Sequence, residues 1–101
     1  DYCRLMARYN SWQNEGLRRM LPTLPPEVVA QDRGAFFGSI LGTLNHLLWA
    51  DRVWLARLTG ATPPQGAIAD SPHLTPTAAA WAAERFRTDA ALTGWAGRLR
   101  A

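Results

Sequence analysis

A histidine set within a long, almost uncharged helical run is the residue in this 101-residue chain best placed to do chemistry. The run reads FFGSILGTLNHLLWADRVW from Phe36 to Trp54, with His46 near its middle. At about 100° per residue, Phe36, Phe37, Ile40, Leu41, Leu44, Leu47, Leu48, Trp54, Leu55 and Leu58 fall on one broad bulky face. Ser39, Gly42, His46, Ala50 and Val53 form a track opposite, and both faces read as buried. Small residues beside a histidine let another helix approach closely or leave a hollow before the ring. A neutral imidazole facing a hollow has the geometry of a metal ligand. Trp49, about 60° from His46 on the helical wheel, could wall one side of a pocket to which Gly42 and Ala50 also contribute. Zinc, nickel or iron would need at least two further donors at the same point. Without them His46 is a core histidine that hydrogen-bonds across helices.

Other candidates for chemistry are few. His73 sits in a proline-rich stretch beside Pro72 and reads as an exposed turn residue. Cys3, near the start of the first helical segment, reads as an inert thiol, since no thiol motif surrounds it. There is no Ser/His/Asp arrangement, phosphate loop or H-E-x-x-H pattern, so no catalytic residue is assigned. Asp51 falls near Leu44, Leu47, Leu55 and Leu58 on the bulky face, where a carboxylate needs partners. The indole of Trp12, the amides of Asn10 and Asn14, or Arg8 could supply them, which makes Asp51, Asn45 and Asn14 structural polar residues rather than acid–base groups. Trp12, Trp54, Trp81 and Trp95, at helical spacing, read as core.

Three helical segments must position these residues, with no strand signal between them. The first spans about 1–20, with Leu5, Met6, Tyr9, Trp12, Leu17 and Met20 near helical spacing and Asp1/Arg4 and Glu15/Arg19 able to pair. Pro22, Pro25 and Pro26 end it. The second spans about 33–59, with Asp32 as N-cap and Gly60 as its stop. A loop with Pro63, Pro64, Gly66 and Pro72 follows. The third spans about 75–100, with Thr75 as N-cap, Pro76 at the first helical position and a stripe of Trp81, Thr88, Leu92, Trp95 and Leu99. Arg98 and Arg100 complement its C-terminal dipole. Such helices need more covering surface than they bring. A fourth helix is therefore expected, from further sequence or from a partner subunit, as in a homodimer, unless the packing is a three-helix one.

The bulk numbers narrow the field. An 11.2 kDa chain that is 48% hydrophobic with five tryptophans makes a single globular domain. The net charge of +3 comes from scattered arginines without any lysine. That distribution argues against a nucleic-acid partner and, because the arginines line no polar face, against a membrane surface. A small molecule is the expected partner. One cysteine cannot form an internal disulfide, the first residues lack the apolar core of a signal peptide, and a cytoplasmic location is expected. Residues 34–50 are too polar for a lipid-facing span.

The second helix, with Ser39-Ile40, Thr43-Leu44-Asn45-His46-Leu47-Leu48, Ala50-Asp51 and Trp54, resembles the signature helix of the DinB-like family of metalloenzymes. In the first helix, Tyr9-Asn10, Trp12, Asn14 and Leu17 are similar to the family's aromatic-Asn pair followed by Trp, Asn and Leu. The likeness runs over most of residues 2–60, and its N-H-L-L-x-A-D-x-x-W portion is the most specific part. It implies an all-α four-helix bundle holding a divalent metal through three histidines, one matching His46. The other two form an H-x-x-x-H pair on the family's last helix and have no counterpart here; His73 is in the wrong place for either. The resemblance further implies a metal-dependent transferase or isomerase that uses a low-molecular-weight thiol as cosubstrate.

Overall fold

Prolines and glycines divide the chain at the points where helical hydrogen bonding fails. The computed structural model describes residues 2–34, 37–64 and 66–98. Its α-helices are α1 (Tyr2–Met20), α2 (Pro26–Ala30), α3 (Ile40–Thr59) and α4 (Ala78–Gly97), with short 3-10 turns at Leu21–Thr23 and Ile68–His73. No strand occurs among the described residues, and the fold is all-α. None of the described helices is long and apolar enough to cross a membrane.

The element boundaries follow from local chemistry. Beyond α1, Thr23 Oγ1 donates to the Met20 carbonyl at 2.5 Å, which satisfies a group the helix leaves open. Pro26 then opens α2, a short helix inside the proline-rich stretch that reads from sequence as a connection. The expected start of α3 near residue 33 is corrected to Ile40. Gly34 (φ 73°) and Gly38 (φ 84°) hold left-handed backbone that a helix cannot continue through. The cap is Ser39, whose hydroxyl accepts from Gly42 N at 2.9 Å, whereas Asp32 accepts from Gly34 N in the connection. Gly60 ends α3 with φ 74°, its N–H donating to the Ala56 carbonyl at 2.8 Å.

The start of α4 also moves, from Thr75 to Ala78 with Thr77 as cap, because Thr75 spends its hydroxyl elsewhere. Thr75 Oγ1 donates to Asn45 Oδ1 at 2.6 Å, while Asn45 Nδ2 donates to the carbonyls of Pro72 and Thr75, each at 2.9 Å. These three bonds, around a fully buried amide, tie the connection before α4 to the middle of α3. At the far end Arg4 reaches the last carbonyls of α4, Ala96 and Gly97. The Glu15–Arg19 pair forms at 2.5 Å. The expected contributions of Asp1, Phe36, Leu99 and Arg100 lie outside the described residues.

Helix α4 lies between α1 and α3, packing on both, while α1 and α3 meet only marginally. The core gathers Leu21, Val29, Leu41, Leu48 and Trp81, with Leu17, Leu44 and Leu74 against it, and the Trp81 indole donates to the Leu44 carbonyl at 3.2 Å. Because α3 is covered on one side only, its bulky face splits. Leu41 and Leu48 are buried, but Leu47 (52% exposed), Trp54 (59%) and Leu58 stand outward, so α3 is not buried all round as its sequence suggests. Of the tryptophans expected in the core, Trp81 is buried, Trp95 is half-buried, and Trp12 (67% exposed) and Trp54 face solvent.

A polar lock joins the three long helices. Arg85, 2% exposed, donates through Nη2 to Asp51 Oδ2 at 2.5 Å and through Nε and Nη2 to Asp89 Oδ1 at 2.9 and 2.7 Å; Asn14 Nδ2 joins the same oxygen at 3.2 Å. The expected partners of Asp51 on α1 are thereby replaced by Arg85 of α4, since α1 does not pack on α3. Asp89 Oδ2 is buried without a hydrogen bond among the described residues. Burial pushes the Asp89 carboxyl above its ordinary value of 3.8, against the pull of Arg85 and Asn14.

Two outcomes follow. Asn45→Ala strands the carbonyl and hydroxyl of buried Thr75 and the half-buried Pro72 carbonyl, and should cost about 3 kcal/mol in urea unfolding; a loss below about 1 kcal/mol would contradict the clamp. Folded Asp89 holds its proton more tightly than unfolded Asp89, so its contribution is full below 3.8 and is lost as pH rises through the raised value. Asp89→Asn should therefore gain in stability relative to the wild type as pH rises above about 4. A variant that falls further behind as pH rises contradicts the raised pKa.

Candidate functional site

Asn45 and His46 are consecutive on α3 and address the same connection. The amide of Asn45 fixes Pro72 and Thr75, and the imidazole of His46, one step around the helix, meets Ser71 in the 3-10 turn. His46 Nδ1 lies 3.0 Å from Ser71 Oγ, and that hydroxyl donates to the Ile68 carbonyl at 2.6 Å. His46 Nε2 makes no hydrogen bond among the described residues. The ring is half-buried.

Two aromatic rings flank the imidazole. Phe37 stacks on it with centroids 3.9 Å apart and planes 14° from parallel, and Trp49 lies at 6.1 Å and 27°. The Phe37 stack depends on Gly42, because a Cβ there would overlap the Phe37 carbonyl oxygen and crowd Ser39 Oγ and Pro72 Cβ at 3.2 and 3.3 Å. The space left by Gly42 thus admits the chain before α3 and the 3-10 turn. Ala50, one turn after His46, is half-buried. Trp49 Nε1 is buried and has no hydrogen-bond partner among the described residues, an orphaned donor close to the imidazole.

As a metal ligand His46 fits in one respect: one ring nitrogen is held and the other is unbonded among the described residues. The rest of a coordination shell is not assembled there, since no three His, Cys, Asp or Glu side chains come together among the described residues. His73, at the end of the 3-10 turn, and Cys3, on α1, are both exposed. Asp51 and Asn14 belong to the Arg85 lock, and Asn45 belongs to the clamp.

Three contributors escape the sequence reading. Ser71 sits in a stretch without periodicity, and nothing in its neighbourhood signals contact with His46. The Phe37 stack requires a reversal before α3 that a continuous helix would forbid. Arg85 is more accessible, for Arg85 and Asp89 are four apart on α4, which pairs opposite charges on one face.

Comparison with known proteins extends the resemblance beyond the His46 helix. The sequence profile of the DinB family matches residues 2–97, which includes α4. Protein DinB of Bacillus subtilis (strain 168) is 31% identical over 62 residues, which are 61% of this chain and 36% of that protein, so the match spans little more than a third of the relative. No solved structure matches the chain. With a family match across α1, α3 and α4, and the His46 segment within it, the chain belongs to the DinB family.

Proposed function

We propose that the protein is a metal-dependent enzyme in which His46 supplies one of three histidine ligands to a zinc, nickel or iron ion. It acts on a small molecule, with a low-molecular-weight thiol as cosubstrate. The observation that carries this reading is the state of His46: half-buried in the segment Asn45-His46-Leu47-Leu48, flanked by Phe37 and Trp49, with Nδ1 engaged by Ser71 and Nε2 unbonded among the described residues. When bound, the metal would supply Lewis acidity that favours the thiolate of the cosubstrate at neutral pH.

The chain's own residues do the rest. Phe37 fixes the plane of the imidazole by stacking and shields one face from water. Asn45 holds the connection that carries Ser71, and the buried Trp49 N–H offers a donor to an acceptor entering beside His46. The two remaining ligands, an H-x-x-x-H pair by family resemblance, would come from a further helix. An outward stripe of Leu47, Trp54 and Leu58 supports such a covering element on α3, contributed by the same polypeptide or by the second subunit of a homodimer. The expected setting is cytoplasmic.

Elemental analysis of the intact protein tests the reading. One equivalent of metal is expected in the wild type and loss of most of it in His46→Ala. Asp51→Ala should keep its metal while losing about 1–3 kcal/mol, because Arg85 forfeits one of two carboxylates. Substoichiometric metal in the wild type, or unchanged metal in His46→Ala, would make the protein a non-catalytic helical binding module. Metal loss from a folded Asp51→Ala would return Asp51 to the site.

A further inference from the structure

We propose that Ser71 is a positioning residue for His46: it sets the imidazole tautomer and thereby selects Nε2 as the nitrogen offered to a ligand. This deepens, and rests on, the reading of His46 as a metal ligand. A serine hydroxyl has one proton to donate and lone pairs with which to accept. Ser71 gives that proton to the Ile68 carbonyl across the 3-10 turn, at 2.6 Å, and the residue is buried, so water does not compete. Toward His46 Nδ1, at 3.0 Å, the same oxygen can then only accept. The ring proton sits on Nδ1, and the lone pair is left on Nε2, the nitrogen without a hydrogen bond among the described residues.

The arrangement is held from both sides. Pro72, the residue after Ser71, gives its carbonyl to Asn45, so the residue preceding His46 on α3 anchors the turn that orients His46. Phe37, stacked on the ring, opposes the flip that would put Cδ2 in place of Nδ1 and break the contact with Ser71. An imidazole in water favours the opposite tautomer, with the proton on Nε2, which would block ligation there. Ser71 therefore changes the state of the ring rather than merely filling space.

The test uses long-range proton–nitrogen correlation spectra of the metal-free, intact protein labelled with 15N-histidine, followed by zinc titration. The wild type should show a protonated Nδ1 and a pyridine-like Nε2. Ser71→Ala should populate the Nε2–H form and weaken zinc binding about 10- to 100-fold, and Ser71→Thr, which keeps the hydroxyl, should restore both. Circular dichroism and the Asn45 side-chain amide signals report whether each variant retains the fold. A wild type with Nε2–H dominant, or a folded Ser71→Ala with an unchanged tautomer ratio, overturns the proposal. A wild type with the expected tautomer but no zinc uptake instead overturns the ligand reading on which it rests.

Discussion

Asn45 has three polar bonds to satisfy inside the protein, and it satisfies them with the backbone of residues 72 and 75 and the hydroxyl of Thr75. A buried amide without partners costs several times what a single hydrogen bond contributes, so this segment has to lie where it does. Its placement brings Ser71 to His46, sets Leu74 against the core and delivers Thr77 to begin α4. The polar pair at the centre of the signature segment divides its labour: Asn45 holds the neighbouring chain, and His46 uses what is held.

A second constraint comes from Arg85. A guanidinium so deeply buried must be neutralised, and Asp51 and Asp89 do this from α3 and from its own helix, with Asn14 of α1 bonded to Asp89. Electrostatics thus sets the register of three helices where apolar packing between α1 and α3 is lacking. The main apolar core lies toward the 3-10 turn after α1, the start of α3 and the start of α4, leaving the outward face of α3 lightly covered.

Much of this was legible in sequence because it obeys short-range rules. Proline and glycine punctuation marked the ends of α1 and α3, and the Asn45-His46-Leu47-Leu48 run pointed to the family. Where the structure departs from local pattern, the causes are physical. Helical periodicity assigns residues to a face but cannot say whether that face has a neighbour, so Trp12 and Trp54 read as core and stand exposed. Thr75 followed by Pro76 satisfies every local rule for a helix start, yet its hydroxyl is claimed by Asn45, thirty residues away in sequence. The Ser71 contact spans 25 residues and joins a helix to an aperiodic turn, a pairing that only tertiary structure reveals.

The proposed role of His46 is to bind a metal through Nε2 of its imidazole. X-ray absorption on the zinc-loaded intact protein addresses it most directly. A shell containing three imidazole nitrogens at about 2.0–2.1 Å is expected, reduced by one in His46→Ala. A shell of oxygen or sulfur alone, or one that His46→Ala leaves unaltered, would contradict it.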